Sequence, residues 1–200
     1  MQLHPLPFSA GPMFALVFWG ACALWILLEV IAWRIKRSAD SSKTRDQGSL
    51  TLIAFLWWTG IGIGFLLSSL LPQAAISWKR TSLFFIGIGL MLVGIVVRWY
   101  SAAVLGKYFT FDVAIQRGQC LVEKGPYRYV RHPSYSGALL TLFGFGFALG
   151  NWAGLAAALS CTCFAYAYRI PVEEAALTSA LGEAYKQYRK RTWRLVPFLF

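Results

Sequence analysis

Long apolar stretches separated by short polar ones organise this 200-residue chain. The first stretch runs from about Pro12 to Trp33 and stops at the cluster Arg34-Ile35-Lys36-Arg37. At about 1.5 Å of rise per residue, a helix of that length crosses a hydrocarbon core of about 30 Å. A polar loop of mixed charge, Ser38–Ser49, leads to a second span at about Leu50–Leu71. The short turn Pro72–Arg80 leads to a third at about Thr81–Leu105. Gly60, Gly62 and Gly64 give the second span a small face on which another helix can pack closely, and Gly87, Gly89 and Gly94 do the same for the third. No strand precedes either set, so packing explains these glycines better than phosphate binding does. Beyond a long polar connection, Gly106–Ser136, the apolar segments Gly137–Gly150 and Trp152–Tyr168 flank Asn151 and read as a helical hairpin. Gly146, Gly150 and Gly154 are placed to let its arms approach. Within the connection, Phe109–Ile115 alternates in part, a hint of extended chain.

From Arg169 onward the chain becomes charged. Pro171 removes a helix donor and crowds the preceding turn, which predicts a kink there. Leu177, Leu181, Tyr185 and Tyr188 then follow at helical spacing as one apolar stripe. Lys186, Arg189, Lys190 and Arg191 fill the last turns, where cations suit both a helix C-terminus and anionic lipid. The expected fold is an all-α integral membrane protein with about five transmembrane helices, a cytoplasmic polar connection and a C-terminal amphipathic surface helix.

Composition agrees. The chain is 58% apolar with nine Trp and fifteen Phe, whereas a soluble domain is nearer half apolar and lacks such long apolar runs. Met1–Gly11 has no basic segment, so the first run is not an ordinary signal peptide. The formal net charge of +11 reflects a topological bias and not nucleic-acid binding, for which no module is present. With the N-terminus outside and five spans, only Lys79 and Arg80 of the nineteen Lys and Arg face outward and only Arg98 lies within a span; the other sixteen are cytoplasmic. Glu29, in the last turns of the first span, is costly there unless paired or near the surface. Arg98 is placed either to pair with it or to reach lipid headgroups. The four cysteines are scattered without a Cys-x-x-Cys and the two histidines are far apart, so no zinc site is expected.

Chemistry concentrates at Gly125–Gly137, Gly-Pro-Tyr-Arg-Tyr-Val-Arg-His-Pro-Ser-Tyr-Ser-Gly. Both X-Pro steps keep the preceding residue out of helix, and Pro126 and Pro133 can each open a new helical turn. The segment reads either as an interfacial loop with snorkelling arginines and anchoring tyrosines, or as a kinked polar segment whose unpaired backbone groups hold a ligand.

Arg131-His132-Pro133-Ser134-Tyr135-Ser136-Gly137 resembles the Arg-His-Pro-x-Tyr-x-Gly signature of the isoprenylcysteine carboxyl methyltransferase family, which is related to the membrane phospholipid methyltransferases. A second block, Arg169-Ile170-Pro171-Val172-Glu173-Glu174 followed by Leu177, Gly182, Tyr185, Tyr188 and Pro197, is similar to that family's C-terminal run. The resemblance covers roughly Leu121–Pro197 in matching order and spacing. It implies S-adenosyl-L-methionine as cofactor and a lipophilic acceptor entering from the bilayer. It assigns His132, Pro133, Ser134, Tyr135, Tyr127, Glu173 and the segment Gln119, Cys120, Leu121, Val122 to the cofactor pocket, and Arg169 to the acceptor's carboxylate. Gln119 departs from the family, which often has histidine there. On this reading residues 1–105 supply three N-terminal helices and 106–200 the catalytic region.

The chemistry of the donor fits these residue types. A carboxylate pairs with its ammonium, backbone amides freed by prolines take its carboxylate, and an aromatic or aliphatic wall suits adenine. Methyl transfer is an in-line displacement that leaves a neutral thioether and needs no metal, so orientation can supply roughly 7–11 kcal/mol. Adjacent Glu173 and Glu174 point about 100° apart on a helix of 3.6 residues per turn, placing one in the site and one in solvent. The bend at Pro171 is expected to turn Arg169 toward the membrane-side acceptor and Glu173 toward the cytoplasmic cofactor. A carboxylate acceptor is already a nucleophile, which favours carboxyl methylation of an isoprenylcysteine-like substrate. A phosphatidylethanolamine-type N-methyltransferase would need a base, for which His132 is the candidate. A non-enzymatic membrane scaffold binding anionic headgroups is the third reading.

Overall fold

A computed structural model describes residues 6–36, 48–111, 118 and 120–197. The elements are α1 (Pro12–Lys36), α2 (Ser49–Leu70), α3 (Arg80–Leu105), α4 (Pro133–Leu149), α5 (Trp152–Leu181) and α6 (Glu183–Arg191). Short 3-10 turns lie at Pro7–Ala10, Pro72–Ala74, Gly106–Tyr108 and Gly125–Arg128. The described residues contain no strand, only two isolated bridges. The three N-terminal spans fall where the apolar runs place them. Four helices, α1, α2, α3 and α5, are long and apolar enough to cross a membrane; α4, with 17 residues, is shorter. Its helical length is about 26 Å at 1.5 Å per residue. Against the expected count of about five spans, four helices have the length and apolarity to cross, and α4 is a shorter apolar helix.

Glycine decides which helices pair. A Cβ on Gly137 would lie 2.7 Å from Arg98 N and Gly94 O, and one on Gly144 would lie 2.5 Å from Gly87 O. Backbone therefore meets backbone along the α3–α4 seam. Gly60 and Gly64 of α2 meet α5 in the same way, with a Cβ on Gly64 at 3.0 Å from Gly154 O. Gly62 and Gly89 face away, with nothing within 4 Å among the described residues. The two arms of the hairpin therefore make their most extensive contacts with α3 and α2, not with each other. Gly146 does admit Leu155 of the opposite arm, but Gly154 serves α2. α1 closes the bundle by burying Phe18 and Trp25 against Phe145 of α4.

At one end of the bundle the two turns expected outside meet. The Asn151 side chain accepts from the backbone N–H groups of Ala153 and Gly154 at 2.9 and 3.1 Å, capping α5, and donates to Leu71 O at 2.9 Å. Ile76 N donates to Gly150 O at 2.8 Å.

The opposite end differs from expectation. α5 continues through Arg169 and Pro171 to Leu181, so the helix runs well past the expected end of the span at Tyr168, with Pro171 inside it. Proline costs the helix one hydrogen bond, and side-chain ties on both flanks, from Arg169 and Glu173, hold the helix in register across it. The break falls at Gly182, whose φ of 59° is open to glycine and strained for other residues. The amphipathic C-terminal helix is accordingly the nine-residue α6, with Tyr185 and Tyr188 buried. Beyond it the chain runs back along the first motif. Arg131 N donates to Trp193 O (2.8 Å), Trp193 N to Tyr129 O (2.9 Å) and His132 N to Arg194 O (3.1 Å). The Phe109–Ile115 stretch is only partly described: Phe109 and Thr110 are non-helical, and 112–117 lie outside the described residues.

Candidate active site

Pro126 and Pro133 each open a helical turn, as their fixed φ favours. Gly125–Arg128 is a single 3-10 turn, and Pro133 starts α4, so the first turn of α4 carries Ser134, Tyr135 and Ser136. His132 is the N-cap residue of α4, in neither strand nor helix conformation. It stacks on Tyr135 with ring centroids 5.5 Å apart and planes 7° apart, and Tyr135 stacks on Tyr166 of α5 at 4.5 Å. This three-ring column fixes both motif side chains with apolar contact.

The two glutamates of α5 divide. Glu174 is buried, 3% exposed, not in solvent as expected. Its Oε1 accepts from Arg131 Nε at 2.9 Å and lies 3.3 Å from His132 Nε2; its Oε2 lies 3.3 Å from Arg194 and 3.4 Å from Arg189. A carboxylate that far from water needs such partners. Arg131 also donates to the Thr192 carbonyl, so Glu174 ties the first motif to the C-terminal segment. Glu173 is the cavity-facing carboxylate. Its Oε2 accepts the Tyr135 hydroxyl at 2.8 Å and lies 3.8 Å from His132 Nδ1, while its side chain stays 30% exposed.

Arg169, 3% exposed, donates from Nε to Tyr135 Oη at 3.3 Å, from Nη1 to Ser49 Oγ of α2 at 2.6 Å, and from Nη2 to the Phe111 carbonyl. Arg169 and Glu173 are therefore joined through one tyrosine hydroxyl, and the expected turning apart at Pro171 does not occur.

These side chains border a cavity of about 160 Å³. Cys120, Leu121, Val122, Tyr127, His132, Ser134, Tyr135, Arg169 and Glu173 all line it. Pro133 is buried but not among the lining residues, and Gln119 lies outside the described residues. The lining also takes in residues that the motifs did not assign. Arg98 and Arg131 are polar; Leu50, Ile53, Leu105, Phe109, Leu177 and Leu181 form an apolar side. Residues 1–105 and 106–200 both contribute. The stripe of Leu177, Leu181, Tyr185 and Tyr188 is cut in two by Gly182, yet all four residues still line the one cavity. Tyr188 donates to Tyr127 O at 2.6 Å. Burial pushes the phenols of Tyr127, Tyr185 and Tyr188 well up, so all three are neutral around this wall.

The floor of the cavity thus offers a carboxylate, a histidine, arginines and phenols, and its side offers aliphatic and aromatic surface. The family model described as phospholipid methyltransferase matches residues 82–184, more than half of the chain and nearly all of this floor. The chain belongs to the phospholipid methyltransferase family. Its similarity extends to protein-S-isoprenylcysteine O-methyltransferase of Schizosaccharomyces pombe, 33% identical over 56% of this chain and 48% of that one. Protein-S-isoprenylcysteine O-methyltransferase B of Arabidopsis thaliana is 32% identical over 56% of this chain and 58% of that one. The fold is similar to the solved structure of a eukaryotic intramembrane Ras methyltransferase, an isoprenylcysteine carboxyl methyltransferase. That likeness has a TM-score of 0.64 and 26% identity, covering 91% of this chain and 65% of the other. The chain spans between about half and six-tenths of the length of these curated relatives. In this phospholipid methyltransferase family member, Arg98 and the apolar side from α2 are what motif reasoning missed. Arg98 was visible as a lone cation in an apolar run; Leu50 and Ile53 carry no signal that separates them from lipid-facing neighbours.

Proposed function

We propose that the protein is an integral membrane methyltransferase that uses S-adenosylmethionine to methylate the carboxylate of an isoprenylcysteine-like acceptor. The observation that carries this reading is a cavity in which Glu173, His132, Tyr135 and Arg169 face an apolar wall. The donor set suits the cofactor: Glu173 keeps an exposed carboxylate edge for an ammonium, and Cys120, Leu121 and Val122 give a backbone and aliphatic edge for adenine. Bound there, the cofactor supplies an electrophilic methyl group on sulfur.

The chain's own residues do the rest. Glu173 orients the cofactor end and is itself held by the Tyr135 hydroxyl. Arg169, on the far side of that hydroxyl, is the cation for an acceptor carboxylate, which brings a nucleophile already ionised. The apolar side from Leu50, Ile53, Leu105 and Phe109 accepts a lipophilic tail and excludes water, which strengthens every charge interaction inside. Catalysis on this reading is alignment. The motif end faces the cytoplasm by the positive-inside rule, with the Pro72–Ala74 and Asn151 turns outside.

One observation favours a second reading. The family match is to phospholipid methyltransferases, and an amine acceptor would need a base; His132, between Glu173 and Glu174, is the candidate. The full chain in detergent should bind S-adenosylmethionine one to one by isothermal titration and convert an S-farnesyl cysteine derivative into a base-labile methyl ester. A base-stable product in phosphatidyl-N-methylethanolamine would transfer the assignment to the amine. Absence of cofactor binding would leave a headgroup-binding scaffold.

A further inference from the structure

Glu29 lies in α1, outside the family match, while Arg98 lies in α3, inside it. Arg98 donates from Nε to Glu29 Oε1 at 2.5 Å and from Nη2 to Oε2 at 2.9 Å. The two side chains are 13% and 15% exposed, so this two-pronged pair sits largely away from solvent. The remaining nitrogen, Nη1, donates to Ser134 Oγ at 3.0 Å and lies 3.4 Å from Ser134 O. The guanidinium also stands over the Phe111 ring, 5.7 Å from its centre. One arginine thus touches α1, the first turn of α4 and the segment that follows α3.

A buried ion pair is weak evidence for stability, because an apolar pair of the same volume often serves as well. Ionisable residues inside apolar spans are costly and mark function. Arg98, Ser134 and Phe111 all line the cavity, whereas Glu29 does not. Ser134 sits between His132 and Tyr135, so whatever fixes Ser134 fixes the spacing of the stacked rings on either side. The close α3–α4 seam at Gly94 and Gly137 brings the Arg98 backbone to that turn but does not aim its side chain. Aiming requires that two of its three nitrogens be occupied from the opposite side.

The geometry points to Glu29 as a positioning residue for the methyl-transfer site. By clamping Arg98 with both oxygens, it directs Nη1 at Ser134 and holds the first turn of α4, with His132 and Tyr135, against the cavity. α1 is then a working part of the site although it lines none of it. The role rests on the methyl-transfer reading for its catalytic consequence, but not for its structural one.

Glu29→Gln keeps the size and removes the two-pronged acceptor. In the full chain, amide exchange over 133–137 should rise about threefold or more while α2 and the first half of α5 stay unchanged, because opening is local. Cofactor affinity and turnover should each fall about tenfold, with the acceptor KM within about threefold of the native chain. The double variant Glu29→Gln/Arg98→Met separates positioning from simple pairing. A structural pair predicts that melting temperature and turnover recover together; positioning predicts that melting recovers and turnover does not. That comparison also decides the matter if the single variant fails to fold. Unchanged exchange at 133–137, or recovery of turnover in the double variant, overturns the proposal. If the native chain neither binds nor methylates, the functional reading fails, and the exchange experiment still decides the clamp.

Discussion

Arg169 and Glu173 meet at a single atom, the Tyr135 hydroxyl, which accepts from Arg169 Nε at 3.3 Å and donates to Glu173 Oε2 at 2.8 Å. The residue read as the acceptor's cation and the residue read as the cofactor's carboxylate are thus mechanically one unit, on one continuous helix.

Tyr135→Phe removes the shared atom and keeps the ring stack. It should weaken S-adenosylmethionine binding about tenfold and lower turnover further, while Glu173→Ala, which removes the carboxylate itself, should cost at least a hundredfold in affinity, about 2.8 kcal/mol. Arg169→Ala should also lose affinity, since Tyr135 is released. In a double-mutant cycle Arg169→Ala and Glu173→Ala should be non-additive by about 1 kcal/mol or more, measured by titration. Strict additivity would show that the hydroxyl does not couple them.

The unbroken course of α5 makes Pro171 dispensable and Gly182 not. Pro171→Ala restores one helical donor and should leave activity within about twofold and melting unchanged or raised. Gly182→Ala meets a φ of 59° and should cost about 1 kcal/mol or more in thermal unfolding. It should lower activity as well, because α6 carries Tyr185 and Tyr188 to the cavity wall.

Gly137, the last residue of the first motif, has a packing reason to be glycine. A Cβ there would lie 2.7 Å from Arg98 N, and neither helix backbone can yield cheaply. Gly137→Ala should destabilise by about 1–3 kcal/mol as an overpacked seam. The same substitution at Gly89, with nothing within 4 Å, should be near neutral in the same melt.

Topology is open to labelling. In a cysteine-free background, Ala74→Cys should react with an impermeant maleimide in intact cells and Lys190→Cys should not. Equal labelling of the two would remove the N-out, five-segment arrangement.

The helices were legible because a membrane span is written as a long apolar run, and α1, α2 and α3 begin and end within a few residues of those runs. Of the eleven proposed site residues, nine line one cavity. Other features are not written locally. A row of small residues shows that some helix approaches but not which, so the Gly94–Gly137 and Gly64–Gly154 partnerships had to come from the fold. Proline at 171 weighs one lost hydrogen bond, and only the tertiary ties of Arg169 and Glu173 decide that the helix survives it. Glu174 looked like a solvent carboxylate because its cations, Arg131, Arg189 and Arg194, are spread over sixty residues of chain.

The pairing of Trp193 and Arg194 with Arg131 and His132 also sets an order of assembly. Those backbone partners are translated after all six helices. During synthesis the N–H groups of Arg131 and His132 therefore precede their partners, the carbonyls of Trp193 and Arg194, by about sixty residues. A chain cut before Trp193 would therefore keep all six helices and lose the backbone partners of Arg131 and His132.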